Sequence, residues 1–451
     1  MLFRKSLIAA ACTLTLGATQ AWAGSAEEAA MLGGDKYTPV GAERAGNADG
    51  SIPAWNPNGP ANFDAAGGAY PDPYAGEAKL FTIDASNVDQ YADNLTEGVK
   101  GLIAKGNGFS LDVYPSHRDI GYADWIVANA KYNAEHVTLE DDGQRVNGNK
   151  PGVPFPFPKS GLEAIWNHMV RPIPSHTYTY DSYYVTSSGK PILSTTAEGF
   201  YKMVAFEGEM VNQVASDVPW LKLRINYSAP ARRAGEILLV HEPGADFTEG
   251  KGRKAWQYLT GQRRVRLAPA VAFDTPNPGI AGTSTYDDSF IYNGSPERFS
   301  WTLVGKKEMY IPYNANKFVM ETEIADALGE NFIKPEYVRW EKHRVWVVEA
   351  DLKDGKRHIY KKRRFYLDED TWGAMASDAY DARDNLWRVQ LNYPVHFYDK
   401  GMNWGTSYTG YDLLQGIYNV NTKPTPGKLK LEVTKGDKFF TPKGLARGGV
   451  R

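Results

Sequence analysis

The sequence is nearly free of cysteine, since its 451 residues include only one, Cys12. A single thiol cannot form a disulfide within the chain. If the segment that carries Cys12 is removed from the mature protein, thiolate metal sites and cysteine nucleophiles are excluded as well.

The first 23 residues have the pattern of a secretory signal peptide. Arg4 and Lys5 precede an apolar run over 6–17, and Ala21-Trp22-Ala23 forms a small-residue cleavage site before Gly24. We therefore predict a cleaved signal and a mature chain that begins at Gly24. Acylation of Cys12, the lipoprotein alternative, is disfavoured because three alanines precede this cysteine instead of a leucine-led motif.

Long hydrophobic runs and an excess of one charge are also missing. Beyond the signal, no segment approaches eighteen consecutive apolar residues, so no membrane-spanning helix is predicted. The chain has 51 basic and 53 acidic residues, which argues against nucleic-acid binding because such proteins need a basic surplus.

Recognisable catalytic motifs are absent from the sequence. It contains no G-x-S-x-G, no H-E-x-x-H and no G-x-x-x-x-G-K-[ST], and its eight histidines show no paired metal-ligand spacing. The stretch 250–255 fits G-x-G-x-x-A only formally, because it does not open a helix after a strand. We predict a protein that is not an enzyme and that has no catalytic residue, cofactor or metal.

Aromatic residues, in contrast, are abundant, with 12 Trp, 27 Tyr and 18 Phe. The stretch that organises the chain lies at 339–370, where 343–350 and 359–366 both alternate with a period of two and are rich in Val, Trp, Ile and Tyr. This pattern predicts two antiparallel strands, and Asp354-Gly355 predicts a two-residue hairpin turn between them. A third strand is predicted at 385–393.

The N-terminal part divides into an arm and three helices. Residues 24–84 are predicted to form an extended Gly- and Pro-rich arm with apolar anchors at Ile52, Trp55, Phe63, Tyr70 and Tyr74. Apolar residues at helical spacing predict helices from Ser86 to about Leu102, from Ile120 to Asn133, and after Ser160, where S-x-x-E forms a capping box and Arg171-Pro172 ends the run.

From His176 onward the apolar period becomes two. Residues 85–451 are therefore predicted to form a single domain, with early helices over 85–175 and a β meander over 176–420. The expected strands, besides those above, are 176–186, 191–196, 200–206, 220–227, 235–243, 255–259, 263–269, 298–305 and 307–313. A helical insert is expected at 321–328, and the tail beyond Thr422 is expected to be irregular. No βαβ rhythm interrupts the series, which favours an antiparallel sandwich, barrel or curved sheet.

Two charged stretches are the candidates for a functional site. Asp287-Asp288 lies in the long segment 269–297, where the pair could hold a cation or act in acid–base chemistry, although solvated loop acids are the favoured interpretation. The run 356–364, with Arg263 and Arg264, is interpreted first as a solvated basic face and alternatively as a site for an anionic head group.

The strand alternation leads to a specific pocket hypothesis. One face of the central hairpin is expected to point inward, either Trp346, Val348, Tyr360 and Tyr366 or Val345, Val347, Ile359 and Phe365, and charged residues accompany both sets. We predict a pocket with an apolar floor and a basic mouth. Its predicted ligand-binding residues are Trp301, Tyr310, Trp346, Tyr360, Arg363 and Arg364, with Asp287 and Asp288 in a loop at the mouth.

Several blocks of the sequence resemble a bacterial secreted family known as domain of unknown function 1329. They are GAERAGNADGSIPAW, AWQYLTGQRRVRLAPA, LVGKKEMYIPYN and RWEKHRVWVVEADLKDGKRHIYKKRRFYLDED. The resemblance covers essentially all of the mature chain. It implies a mainly β (α+β) fold similar to the lipoprotein carriers LolA and LolB, in which a strongly curved antiparallel sheet forms an incomplete barrel and helices cover its concave face. It also implies an association with outer-membrane proteins and exporters of the resistance–nodulation–division type, and it assigns no catalytic residues.

The leading hypothesis is a periplasmic, non-enzymatic protein that binds a lipid-like or other hydrophobic ligand during transport between the inner and outer membranes. One alternative is a structural adaptor that docks to an outer-membrane protein or an exporter, with a peripheral position at the outer membrane. The third is an envelope hydrolase that uses Asp287, Asp288 or a histidine.

Overall fold

The computed structural model describes residues 24–448, apart from positions 62, 64, 66–67, 215–218, 269–273, 278–279, 281 and 406. The predicted signal peptide and Cys12 lie outside the described residues. No helix within the described ranges is long and apolar enough to cross a membrane.

The described residues form six α-helices and nineteen β-strands. The helices are α1 (Ala26–Met31), α2 (Glu97–Ala104), α3 (Asp124–His136), α4 (Gly161–Met169), α5 (Ile324–Ala327) and α6 (Pro442–Gly448). The strands of the first half are β1 (Phe81–Ile83), β2 (Leu111–Val113), β3 (Thr138–Glu140), β4 (Arg145–Asn147), β5 (His176–Val185), β6 (Pro191–Lys202), β7 (Leu221–Ala229), β8 (Ile237–Glu242), β9 (Lys254–Leu259) and β10 (Arg264–Leu267). Those of the second half are β11 (Phe299–Pro312), β12 (Trp340–Leu352), β13 (Lys362–Asp368), β14 (Ala374–Tyr380), β15 (Leu386–Asn392), β16 (Val395–Phe397), β17 (Met402–Trp404), β18 (Tyr408–Asp412) and β19 (Ile417–Pro424).

Fifteen of these strands belong to one sheet. Its order is β1-β2-β12-β13-β14-β15-β18-β19-β5-β6-β7-β8-β9-β10, and β11 pairs with the other edge of β12. All neighbours are antiparallel except β2 and β12, which share a single parallel pair. Two series of strands, β5–β10 and β11–β15 with β18 and β19, thus join through the pair of β19 and β5, while β16 and β17 form a separate hairpin. Since the terminal strands of this path do not pair with each other in the described ranges, the sheet is open, which confirms the predicted mainly β class with a large antiparallel sheet.

The central hairpin exists, but its turn was predicted wrongly. β12 and β13 are antiparallel, and nine residues, 353–361, connect them instead of two. Asp354 and Gly355 do form a tight turn, closed by the bond from the Lys356 N–H to the Lys353 carbonyl at 3.1 Å. Within this connection the side chain of His358 turns inward to a buried carboxylate of Asp287, 3.0 Å away.

The register of this hairpin also corrects the two expected inward-facing sets. Val348 lies opposite Phe365 and Val347 opposite Tyr366. Because directly opposed residues share a face, Trp346 and Val348 lie with Phe365, not with Tyr366. Both faces are covered, since Val347 and Tyr366 belong to one apolar core and Val348 and Phe365 to another.

The helices are divided between these two cores. Val99 and Leu102 of α2 belong to the core that contains Val347. Ile165 and Trp166 of α4 belong to the core that contains Val348. Helices therefore lie against both faces of the β12–β15 region.

The first predicted helix is interrupted. A 3₁₀ segment spans Val88–Asn94, Leu95 is extended at φ −114° and ψ 143°, and α2 then starts at Glu97. Thr96 is the true N-cap, because its hydroxyl accepts a bond from the Val99 N–H at 3.0 Å. The apolar spacing was correct, but this cap determines where the helix begins.

The third predicted helix is confirmed as α4. Ser160 accepts a bond from the Glu163 N–H at 3.2 Å, and the Glu163 carboxylate accepts the Lys159 N–H at 2.5 Å. Trp166 is fully buried, and its indole N–H donates to the Gly143 carbonyl at 2.8 Å. The second predicted helix, 120–133, corresponds to α3 and is shifted to Asp124–His136.

Several strand boundaries differ from the prediction. The two runs at 298–305 and 307–313 form one strand, β11, with a bulge near Gly305, whose φ is 126°. Likewise, 191–196 and the first residues of 200–206 merge into β6. Nine of the nineteen strands were not predicted, namely β1–β4, β14 and β16–β19. Among them, β14 reads AMASDAY and has few residues that favour strands, yet six of its seven residues are buried. Burial between β13 and β15 therefore outweighs its local preference.

The insert and the tail also differ. The expected helix at 321–328 is a π-type turn at Lys317–Glu321 followed by the short α5. The tail is not irregular throughout, since it contains a 3₁₀ segment, Asp437–Phe440, and α6. Phe440 and Leu445 bury their side chains against a small core that includes Phe200.

The N-terminal arm lies across the body of the protein. Ile52, Tyr70 and Tyr74 are buried, and the Trp55 indole N–H donates to the Ile120 carbonyl at 2.7 Å. The arm is not wholly extended, because α1 forms near its start.

A buried carboxyl beneath α2 should make stability depend on pH. Burial raises the pKa of Asp378 to about 6, although the Tyr366 hydroxyl and the Gly98 N–H donate to it. A folded-state pKa above the unfolded value of about 4 means that the folded state binds more protons between these values, so stability falls as pH rises from 4 to 7. We expect Asp378→Asn to gain about 1–3 kcal/mol relative to the parent over this interval, measured by urea unfolding at several pH values. A difference that stays constant with pH would contradict this prediction.

Candidate functional site

The residues predicted to form the mouth of a pocket form a buried ion network instead. The Arg363 guanidinium donates to Asp287 at 3.1 Å and to Asp288 at 2.8 Å, and all three side chains are at most 3% exposed. The Tyr360 hydroxyl donates to Asp288 at 2.9 Å and accepts from Arg388 at 3.0 Å. The interpretation of the two acids as solvated loop residues is therefore wrong.

The carboxylate of Asp287 is held in place by several neighbouring groups. Burial alone would raise the pKa of Asp287, but Arg363 and His358 hold it at about 2. The Thr285 hydroxyl donates to the same carboxylate at 2.5 Å. Because their charges are compensated within the protein, Asp287 and Arg363 fasten the loop before β11 to the sheet.

Of the other four predicted residues, Trp301 and Trp346 pack against one core, and Trp301 contacts Phe365, a ring that Arg363 also contacts, whereas Tyr310 and Arg364 lie elsewhere. Trp301 stacks on Phe365, Trp346 stacks on Trp372, Tyr310 packs edge-on against Phe81, and Arg364 pairs with Glu349. The structure thus does not bring the predicted set together around one opening. Ligand binding by these residues stays a prediction.

An apolar cleft lies at a different place. It is bordered by the segment that precedes α4, by the residues that follow β6 and β8, and by the residue that precedes β7. The free space inside it is about 10 Å³, about the room that one water molecule needs, so a larger ligand would enter only if the walls moved apart. Nine residues line it: Asn149, Pro151, Gly152, Val170, Ala205, Phe206, Trp220, Gly244 and Ala245. None of these side chains is ionisable or nucleophilic.

Two of the residues that line this cleft each have a buried polar atom without a partner among the described residues. These atoms are the amide oxygen of Asn149, an acceptor, and the indole N–H of Trp220, a donor. The two residues are 2% and 4% exposed. Since a buried polar group without a hydrogen bond costs free energy, this arrangement favours a ligand that supplies both an acceptor and a donor beside an apolar group.

The cleft was not recognised in the sequence. Trp220 was assigned to a strand, and Asn149 precedes the proline-rich run at 151–158. No local pattern relates an amide in one loop to an indole at the start of a distant strand. Asn149 and Trp220 come together only because the segment before α4 packs next to the start of β7.

A second polar cluster lies where β12 starts and β13 ends. One ligand atom each from His343, Asp368 and Asp370 lies within 4.8 Å of the others, and all three residues are buried. Burial and the neighbouring Asp370 raise the pKa of Asp368 to about 7. The prediction that the chain has no metal site did not consider this cluster, although the signal was present: DED follows a strand, and Glu341 and His343 share a face.

Comparison with known proteins gives a family match. The model of the family described as "Protein of unknown function (DUF1329)" matches residues 82–446. An uncharacterised protein of Pseudomonas aeruginosa is 40% identical over 462 residues, covering 97% of each chain.

Two solved structures are similar to this chain at low identity. A putative outer membrane lipoprotein-sorting protein domain from Vibrio parahaemolyticus is 16% identical, with a TM-score of 0.40 over 61% of this chain and 92% of that chain. A DUF1329 family protein from Desulfovibrio piger is also 16% identical, with a TM-score of 0.39 over 60% of this chain and 92% of that chain.

Proposed function

We propose that this chain, which belongs to the DUF1329 family, is a non-enzymatic binding protein that holds an apolar part of a hydrophobic or lipid-like ligand in the cleft between Asn149 and Trp220. The observation that carries the proposal is the pair of unpartnered polar atoms in an otherwise apolar wall. A ligand with a hydroxyl, amide or carboxylic acid group next to an alkyl or aromatic portion would satisfy both atoms and bury apolar surface.

Binding and release require no nucleophile, which agrees with the chemistry of the lining. The cleft walls come from Val170, Ala205 and Phe206, which offer apolar contact only. Phe206 also stacks on Trp125, with ring centroids 5.8 Å apart, and this contact supports the apolar wall of the cleft. The cleft therefore supports binding better than hydrolysis.

The location and the partners belong to the same proposal. The predicted signal over 1–23 supports export to the periplasm, and a hydrophobic ligand there would be carried between the inner and outer membranes. Docking to an outer-membrane protein or to a resistance–nodulation–division exporter would provide delivery.

The proposal is tested with two fluorescent probes and delipidated protein. We expect saturable binding of N-phenyl-1-naphthylamine, which is neutral and has an N–H donor, and of cis-parinaric acid, which has a carboxyl group. Ala205→Phe fills the cleft and should weaken binding at least tenfold. Trp220→Phe removes the donor and should weaken cis-parinaric acid binding about three- to tenfold, as expected for one hydrogen bond of about 0.5–1.5 kcal/mol.

Ala128→Phe is the matched control, because Ala128 is exposed on α3 and the same side chain is added there. This variant should bind both probes as the parent does. If Arg364→Glu weakened cis-parinaric acid binding while Ala205→Phe did not, the ligand would lie on the basic strand instead. The absence of saturable binding of either probe would overturn the carrier proposal in favour of the adaptor.

A further inference from the structure

The cluster at His343 is arranged so that two hydrogen-bond acceptors are left free inside the protein. The His343 Nε2 lies 3.0 Å from a carboxylate oxygen of Glu341. This contact places the ring proton on Nε2 and leaves Nδ1 with a free lone pair. Nδ1 has no partner among the described residues, and His343 is 1% exposed.

Asp368 is held in a similar way. One of its oxygens, Oδ2, accepts bonds from the Tyr313 hydroxyl at 3.1 Å, from the Thr371 N–H at 3.0 Å and from the Thr371 hydroxyl at 2.7 Å. Its other oxygen, Oδ1, has no partner in the described part of the chain, and the residue is fully buried. Three donors therefore orient Asp368 and leave one oxygen available.

Asp370 completes the group. Both of its oxygens accept bonds from Arg118, each at 2.8 Å, which fixes the plane of the carboxylate. The second lone pair on each oxygen stays available, because a carboxylate oxygen can accept more than one contact. Arg118 is itself 1% exposed, so the carboxylate is oriented by a rigid buried partner.

From this geometry we propose that His343 Nδ1, Asp368 Oδ1 and Asp370 form a binding site for one divalent cation of the Zn²⁺ or Mn²⁺ type. One imidazole and two carboxylates are a mixed nitrogen–oxygen set, which suits these ions better than Ca²⁺. Their ligand atoms lie within 4.8 Å of one another. Two ligands of one tetrahedral Zn²⁺ ion lie about 3.3–3.5 Å apart, so the three side chains would have to close in on the ion by small shifts.

The surroundings have the form of an outer shell of a metal site. In such sites a histidine ligand donates its other ring N–H to a carboxylate, and that carboxylate is itself anchored. Glu341 meets both conditions, since it accepts from Arg339 at 2.5 Å and from Asn314 at 2.9 Å. The ion would balance the negative charges of Asp368 and Asp370, which Arg118 compensates only in part.

The rival explanation is that a proton or a water molecule occupies the gap. A proton shared between Asp368 and His343 would satisfy both free acceptors without a metal. The two explanations differ in what the site does with Co²⁺, because Co²⁺ held by the protein in a four- or five-coordinate site gives intense d–d absorption bands, whereas free aqueous Co²⁺ absorbs only weakly.

The test uses full-length mature protein without a histidine tag, unfolded in chelator, freed of the chelator while unfolded, and refolded in the presence of increasing amounts of Zn²⁺, Mn²⁺ or Co²⁺. Refolding is included because the cluster is closed to solvent. We expect one ion per chain by elemental analysis, Co²⁺ absorption between 500 and 700 nm far more intense than that of free aqueous Co²⁺, and loss of the free Mn²⁺ spin-resonance signal at one equivalent. His343→Gln should abolish the Co²⁺ bands, and Glu341→Gln, which changes only the outer shell, should weaken binding about 10- to 100-fold.

His136→Gln is the control for adventitious binding, because His136 is an exposed histidine at the end of α3. It should leave the stoichiometry and the spectrum unchanged. Parent protein that folds and yet shows no Co²⁺ bands and less than about a tenth of an ion per chain would overturn the proposal and leave the proton or water. Bands that persist in His343→Gln would place any ion elsewhere and overturn it as well. The cleft proposal uses other residues and is unaffected by either outcome.

Discussion

Replacement of Arg363 by methionine is expected to lower the free energy of unfolding by about 3–5 kcal/mol. The substitution removes the only cation that contacts both buried carboxylates, Asp287 at 3.1 Å and Asp288 at 2.8 Å, among the described residues. Two neighbouring carboxyl groups would then be buried with incomplete compensation, which costs far more than the loss of one exposed ion pair. Urea unfolding at pH 7 measures the difference.

Arg364→Met is the matched control, because it removes the same side chain from the next position of β13. Arg364 is partly exposed and pairs with Glu349, so that its loss should cost about 1 kcal/mol or less. Adjacent strand residues lie on opposite faces, and only Arg363 reaches the buried acids. Similar destabilisation by the two variants would show that the Arg363 network is worth no more than a surface pair.

Trp166→Ala is expected to cost about 3–5 kcal/mol, because it removes the largest side chain of α4 from a packed core. Trp166 is fully buried and contacts Phe247, with ring centroids 5.8 Å apart. Its loss also leaves the Gly143 carbonyl without the indole donor 2.8 Å away. Thermal and urea unfolding of the variant measure the effect.

Leu80→Ala is the control, because it also truncates an apolar side chain, but at an exposed position. Leu80 is 61% exposed, and its truncation should change the free energy of unfolding by no more than about 0.5 kcal/mol. If Trp166→Ala unfolded at nearly the same urea concentration as the parent, the helix would have to pack loosely against the sheet.

The parts of the fold that were predicted correctly depend on short-range patterns. The alternation over 343–350 gave β12, and the Ser160 box gave α4, because periodicity and capping act among residues a few positions apart. The errors occur where distant contacts decide. The strand β14 has weak local preference but lies between two strands, and the loop after β12 contains His358, whose contact with Asp287 joins residues 71 positions apart.

The candidate sites depended even more on long-range contacts. Arg363 was recognised as an unusual charge in a strand, but its partner Asp287 is 76 positions away in sequence. The cleft joins Asn149 to Trp220, and neither residue has a neighbour in sequence that marks it as a binding residue. Such pairs arise only when separate segments are packed against one another.

The sequence by itself determined the strand-rich class, the capped helix at Ser160 and the family, since alternation, capping boxes and long similar blocks are written in local order. The tertiary structure decided which charges are buried and which polar atoms are left without partners. The physical reason is that the free energy of a charge or of a hydrogen-bonding group depends on what surrounds it in space. Asp287, predicted to be solvated, is paired and buried, and His343, which was not predicted to belong to a site, lies near two acids in the interior.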